Sequence, residues 1–166
     1  GQLFLVRPDS LDLSQTQDQI NDAKADGVTD LTDAMRQTLA EYPVGGVVIF
    51  GKNLESPQQI TQFLDDLQQA SDTPLFTAID EEGGLVARLA NNAAFDLPQY
   101  ESAAAVGTSG NPEDARAMGR TIGGYLKEYG FNLDFAPVAD VNTNPDNPVI
   151  GTRAFSSEPQ TAADLV

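Results

Sequence analysis

Neither cysteine nor histidine occurs among the 166 residues. Without cysteine there is no disulfide and no thiolate metal site, although this identifies no compartment. The missing histidine excludes more. No Ser-His-Asp triad, histidine-ligated metal or imidazole general acid can be drawn from these residues. Basic side chains are also scarce: 9 lysines and arginines stand against 25 aspartates and glutamates, a net charge of -16. Such a field repels phosphate backbones and anionic membranes, so no nucleic-acid partner is expected, and the same charge serves solubility. No apolar run approaches the roughly 20 residues of a membrane span, and no signal peptide is visible. The opening "GQLFLV" is compatible with an export or lipoprotein signal removed upstream.

The composition that remains, 40% hydrophobic and 20% charged, is globular. The length suffices for one domain with a core over residues 1–166. Four segments read as strands: "QLFLV" (2–6), "VGGVVIF" (44–50), "PLFTAI" (74–79) and "FNLDFAPV" (131–138). The first three lack polar alternation, which predicts burial on both faces. Helical periodicity separates them. Leu31, Ala34, Met35, Leu39 and Tyr42 share one face, and Ile60, Phe63, Leu64, Leu67 and Ala70 share another. The second of these helices carries a start signal in Ser56, Pro57 and Gln59.

A third helix is predicted from Pro112 to Tyr129, capped by Asn111 and stopped by Gly130. Its apolar face is Ala115, Met118, Ile122, Tyr125, Leu126 and Tyr129, and close packing is the expected reason for Gly119, Gly123 and Gly124. A fourth helix starts near Glu158. Residues 8–30 are polar and irregular and read as a surface excursion.

This alternation implies an α/β fold of parallel strands with right-handed crossovers, either a doubly wound open sheet or a (β/α)8 barrel. No GxGxxG or GxxxxGK[ST] follows any strand. A complete barrel needs about 250 residues, so in the barrel reading the chain is its first half.

Both architectures bind ligands at the carboxyl ends of the strands. The residues there are "GKN" (51–53), "DEEGGLVAR" (80–88) and "ADVNTNPDNPVIGTRAF" (139–155). Asp80 reads either as a turn cap or as an acceptor for two neighbouring hydroxyls of a neutral polyol; Arg88 reads either as a surface partner of Glu81 or Glu82 or as a donor to another oxygen of that polyol. Asp140, beside an Asn-rich loop, is expected to bond loop amides. The "DEEGG" cluster lacks the alternating spacing of a calcium loop, so no metal is expected.

Taken together, "VGGVVIFGKN", "PLFTAIDEEGG" with "VARL", and "GFNLDFAPVADVNTNPDNPVIGTRAFSS" resemble the N-terminal domain of family 3 glycoside hydrolases, in its bacterial β-N-acetylglucosaminidase-like branch. The resemblance implies a (β/α)8 TIM-type barrel whose strand-end loops bind a terminal sugar, with retaining hydrolysis and no cofactor. Matched to the family's motifs, Asp80, Arg88 and Arg153 are its sugar-gripping residues. Leu85 stands where the family often has arginine. The family's Lys-His-x-Pro-Gly-His-Gly segment, its histidine acid/base loop and its nucleophilic aspartate have no counterpart in these residues and are expected beyond Val166. The resemblance therefore implies no catalytic residue in this chain. The 166 residues are expected to be inactive alone and to associate through the open side of the barrel. Glu81 and Glu82 are expected to hold the loop rather than to do chemistry, and the parent protein is expected to be extracytoplasmic. A β-glucosidase, a β-xylosidase and a non-catalytic carbohydrate-binding module remain the alternatives.

Overall fold

The computed structural model describes residues 1–22 and 24–166. They form two compact units, one of Gly1–Ile79 and Leu126–Asp134, the other of Asp80–Tyr125 and Phe135–Val166. In chain order the strands are β1 (Leu5–Val6), β2 (Gly46–Ile49), β3 (Phe76–Ile79), β4 (Glu81–Gly83), β5 (Val86–Ala87) and β6 (Leu133–Asp134). The α-helices are α1 (Gln17–Asn21), α2 (Asp33–Glu41), α3 (Pro57–Ala70), α4 (Ala103–Gly107), α5 (Pro112–Glu128) and α6 (Pro159–Leu165).

The first unit holds the parallel sheet, in the order β1-β2-β3-β6. Strands that neighbour one another in sequence order are wound in one direction, as in a barrel; a doubly wound sheet would reverse its order at a switch point. The fold is thus α/β, of the barrel type, with the sheet open at β1 and β6. Asn132 fixes the register between β3 and β6. Its Oδ1 accepts from the Thr77 amide at 2.8 Å and its Nδ2 donates to the Leu75 carbonyl at 2.9 Å.

Val47, Ile49, Ala78 and Ile79 are fully buried, but Val48 is half-buried and Phe76, in the central strand β3, is 55% exposed, so the expected burial on both faces is incomplete. The predicted strand at 2–6 shrinks to Leu5–Val6, and Leu3 and Phe4, in the turn before it, are 94% and 66% exposed. Helix α3 starts as predicted: Ser56 Oγ accepts from the Gln59 amide at 3.2 Å, and Ile60, Phe63, Leu64 and Leu67 are buried. Gln59 does not close a capping box on Ser56. Its Oε1 accepts from the Glu55 amide and its Nε2 donates to the carbonyls of Thr29 and Asn53. In α2, Met35 and Leu39 are buried, but Ala34 and Tyr42 are exposed. The helix ends at Glu41, before Tyr42 can join its apolar face.

Residues 8–30 depart from a plain surface excursion. Asp9 is completely buried. It accepts from Lys52 Nζ at 3.1 Å, from Asn53 Nδ2 at 3.1 Å and from the Val28 amide at 3.3 Å. The polar residues just past β2 therefore tie this segment down. A buried carboxylate requires such compensation, and here every partner lies within the unit.

In the second unit, α5 buries Ala115, Met118, Ile122 and Tyr125. Glycine packing is not the reason for Gly119, Gly123 and Gly124, since a Cβ at any of them would meet no atom within 4 Å. They lie on the exposed face of the helix. Among the described residues no helix is long and apolar enough to cross a membrane.

Candidate functional site

The segment that leaves β3 forms an antiparallel pair, β4 with β5, in which Glu81 faces Ala87 and Gly83 faces Val86. Only a tight reversal can join strands this close, and Gly83 and Gly84 supply it with φ of +82° and +68°. Space reinforces the choice. A Cβ on Gly83 would overlap the Met118 methyl, and one on Gly84 would come within 2.8 Å of the Glu101 carbonyl oxygen. Leu85 sits at the tip, 74% exposed.

Three consecutive carboxylates take three different partners. Asp80 Oδ2 accepts from Arg88 Nη2 at 3.0 Å, and the two side chains are 27% and 33% exposed. Glu81, completely buried, accepts from the Leu89 amide at 2.9 Å, the Ala90 amide at 2.9 Å and the Tyr125 hydroxyl at 2.8 Å. Glu82 accepts a fork from Arg153, Nε at 2.8 Å and Nη2 at 2.7 Å. Arg153 therefore pairs with Glu82, and Arg88 with Asp80 rather than with either glutamate. Alternation separates Glu81 from its two neighbours, because successive strand residues point to opposite faces; Asp80 and Glu82 are told apart by the arginines that reach them, Arg88 and Arg153.

Arg153 stands at the end of a 3-10 turn, Gly151–Arg153, and also donates through Nη1 to the Val149 carbonyl at 3.2 Å. Glu82 raises its proton affinity above the ordinary guanidinium value; burial opposes this, and the charges of Asp140 and Asp80 add to it. Arg153 is thus a fixed cation, 23% exposed, within the field of Asp80. Asp140 is exposed and, among the described residues, receives no loop amide. Instead the asparagines bind the loop: Asn144 Oδ1 accepts from the Asp146 amide, and Asn147 Oδ1 from those of Val149 and Ile150. These are Asx turns, in which an amide side chain reaches its own loop more closely than an aspartate several residues upstream.

All three predicted site residues, Asp80, Arg88 and Arg153, belong to this unit, partly exposed and linked by charge. Sequence reasoning missed the bond between Glu81 and Tyr125. One signal was available: a tyrosine on an apolar helix face needs a partner for its hydroxyl when buried. Among the described residues no group of three or more acidic or other ligating side chains is placed to hold a metal ion.

Comparison with known proteins shows the family. The family model described as "Glycosyl hydrolase family 3 N terminal domain" matches residues 8–166. The chain belongs to that family. It is 36% identical over 143 residues to "Beta-hexosaminidase A" of Pseudoalteromonas piscicida, covering 83% of this chain and 24% of the relative. Among solved structures it resembles a glycoside hydrolase family 3 β-N-acetylglucosaminidase from Paenibacillus sp. str. FPU-7, with 34% identity and a TM-score of 0.77 over 83% of this chain and 26% of that one. It also resembles NagZ from Neisseria gonorrhoeae in complex with N-trifluoroacetyl-D-glucosamine, with 26% identity and a TM-score of 0.73 over 83% and 41% of the two chains. The chain thus spans less than half the length of these relatives.

Proposed function

We propose that the full-length protein is a retaining glycosidase that removes a terminal β-linked sugar, N-acetylglucosamine, and that this chain supplies part of the sugar-binding site. The observation that carries the proposal is the partly exposed Asp80–Arg88 pair, set in the field of an Arg153 held by Glu82. Among the described residues Asp80 Oδ1 accepts no hydrogen bond, so a hydroxyl can donate to it while Arg88 holds Oδ2. Arg153 spends three of its five N–H groups on Glu82 and Val149, and its remaining donors suit a sugar oxygen. The similar proteins, a β-hexosaminidase, a β-N-acetylglucosaminidase and an enzyme solved with N-trifluoroacetyl-D-glucosamine, support the choice of sugar.

Retention requires a nucleophile and an acid/base at the scissile bond. Glu81 and Glu82 are committed to internal partners, which supports a binding role without turnover for these 166 residues alone. The proposal includes a location outside the cytoplasm, secreted or lipid-anchored, supported by the acidic composition; cell fractionation tests this. The exposed Leu3 and Phe4 at the open sheet edge support association through that side.

Turnover of chromogenic β-N-acetylglucosaminide against β-glucoside and β-xyloside by the full-length protein tests the reading. Preference for glucoside or xyloside overturns the choice of sugar. Saccharide binding without hydrolysis overturns the enzymatic reading in favour of a carbohydrate-binding module.

A further inference from the structure

We infer that Glu81 is a positioning residue for sugar binding: it holds Arg88 against Asp80 by gripping the backbone on both sides of that arginine. The inference rests on the sugar-binding reading of Asp80 and Arg88. On the amino side of Arg88, the backbone of Glu81 is in ladder register with Ala87. On the carboxyl side, its two carboxylate oxygens take the amides of Leu89 and Ala90, both at 2.9 Å. One residue thus fixes positions 87, 89 and 90, and Arg88 projects from between them to reach Asp80 Oδ2 at 3.0 Å.

The clamp is anchored in the interior. Glu81 is completely buried, and the same oxygen that holds the Ala90 amide accepts from Tyr125 on α5 at 2.8 Å. Tyr125, Leu89 and Ala90 are themselves buried, so solvent offers no replacement partner for either amide. A surface loop would need no such device to fold. A loop that must present one guanidinium to a ligand does, because geometry fixed before binding removes the entropy of ordering it afterwards. The arginine is partly covered, and the backbone that Glu81 holds on both flanks sets where its side chain starts.

Glutamine at this position keeps one acceptor and turns an N–H₂ toward the other amide, so either Leu89 or Ala90 loses its partner and the flank of Arg88 is released. In the full-length protein, Glu81→Gln should raise KM for the aryl N-acetylglucosaminide by about tenfold and leave kcat within about twofold, the pattern of lost uniform binding. The same substitution made in an Arg88→Ala background should add less than about twofold, because its effect passes through Arg88. Tyr125→Phe, which leaves both amide bonds in place, should give a smaller rise of about two- to threefold and serves where Glu81→Gln fails to fold.

Multiplicative effects of Glu81→Gln and Arg88→Ala on KM overturn the inference, as does a loss confined to kcat. A crystal structure of the Glu81→Gln protein reads the same point without activity: Arg88 displaced from Asp80 supports it, and an intact pair overturns it. If the wild-type protein neither binds nor hydrolyses any saccharide, the sugar-binding reading itself fails, and the crystal structure alone decides whether Glu81 positions Arg88.

Discussion

Replacing Glu82 with glutamine removes half of the fork that fixes Arg153. Glu82 is 7% exposed and receives two N–H bonds, at 2.8 and 2.7 Å, from an arginine 23% exposed. A hydrogen bond to a charged partner contributes about 1.5–3 kcal/mol, and breaking one side of a buried pair costs about 3–5 kcal/mol. Glutamine retains one acceptor but sets an N–H₂ against the second donor. Water reaches the outer part of the arginine, which moves the cost to the lower end, about 2–3 kcal/mol. Urea unfolding of the full-length protein, followed by circular dichroism, measures it in the wild type, Glu82→Gln, Arg153→Gln and the double variant. The coupling energy should be about 1.5–2.5 kcal/mol, and additive costs within about 0.5 kcal/mol refute the reasoning. The sign of the pH dependence follows from Arg153. Its folded proton affinity is raised by Glu82, so its contribution is complete below the ordinary guanidinium range and is lost only as pH rises through the higher folded value. Between about pH 6 and 9 the arginine side of the coupling should therefore be flat.

Asp80→Ala should lower kcat/KM for the aryl-glycoside by about tenfold to 150-fold, the equivalent of one charged hydrogen bond, with little change in unfolding midpoint; loss of folding with unaltered sugar affinity would indicate a turn cap instead. Asp9→Ala strips a fully buried carboxylate from Lys52, Asn53 and the Val28 amide and should destabilise by about 3–5 kcal/mol in the same urea assay. Gly123→Ala and Gly124→Ala place a methyl where no atom lies within 4 Å and should each stabilise helix α5 by about 0.5–1 kcal/mol, read as a rise in melting temperature; a fall would mean that this face is covered elsewhere in the full-length protein.

Local rules were enough for much of the fold. The apolar runs ending at Ile49 and Ile79 could only be buried strands, and Ser56-Pro57 could only open a helix, because capping and burial depend on residues close in sequence. The motif order from "VGGVVIF" to "IGTRAF" likewise carried the family. Other features depended on partners far along the chain. Nothing local distinguishes Asp80, Glu81 and Glu82 as three neighbouring acids. Alternation turns Glu81 away from the other two, and their roles diverge because Arg88, Tyr125 and Arg153 reach them from separations of 8, 44 and 71 residues. Asp9 reads as a surface acid until the fold brings Lys52 and Asn53 around it. Three glycines on one helix look like a packing seam in sequence, and only the tertiary structure leaves that face open. Burial is a property of the assembled chain, and a carboxylate acquires its function from whichever donors the fold delivers to it.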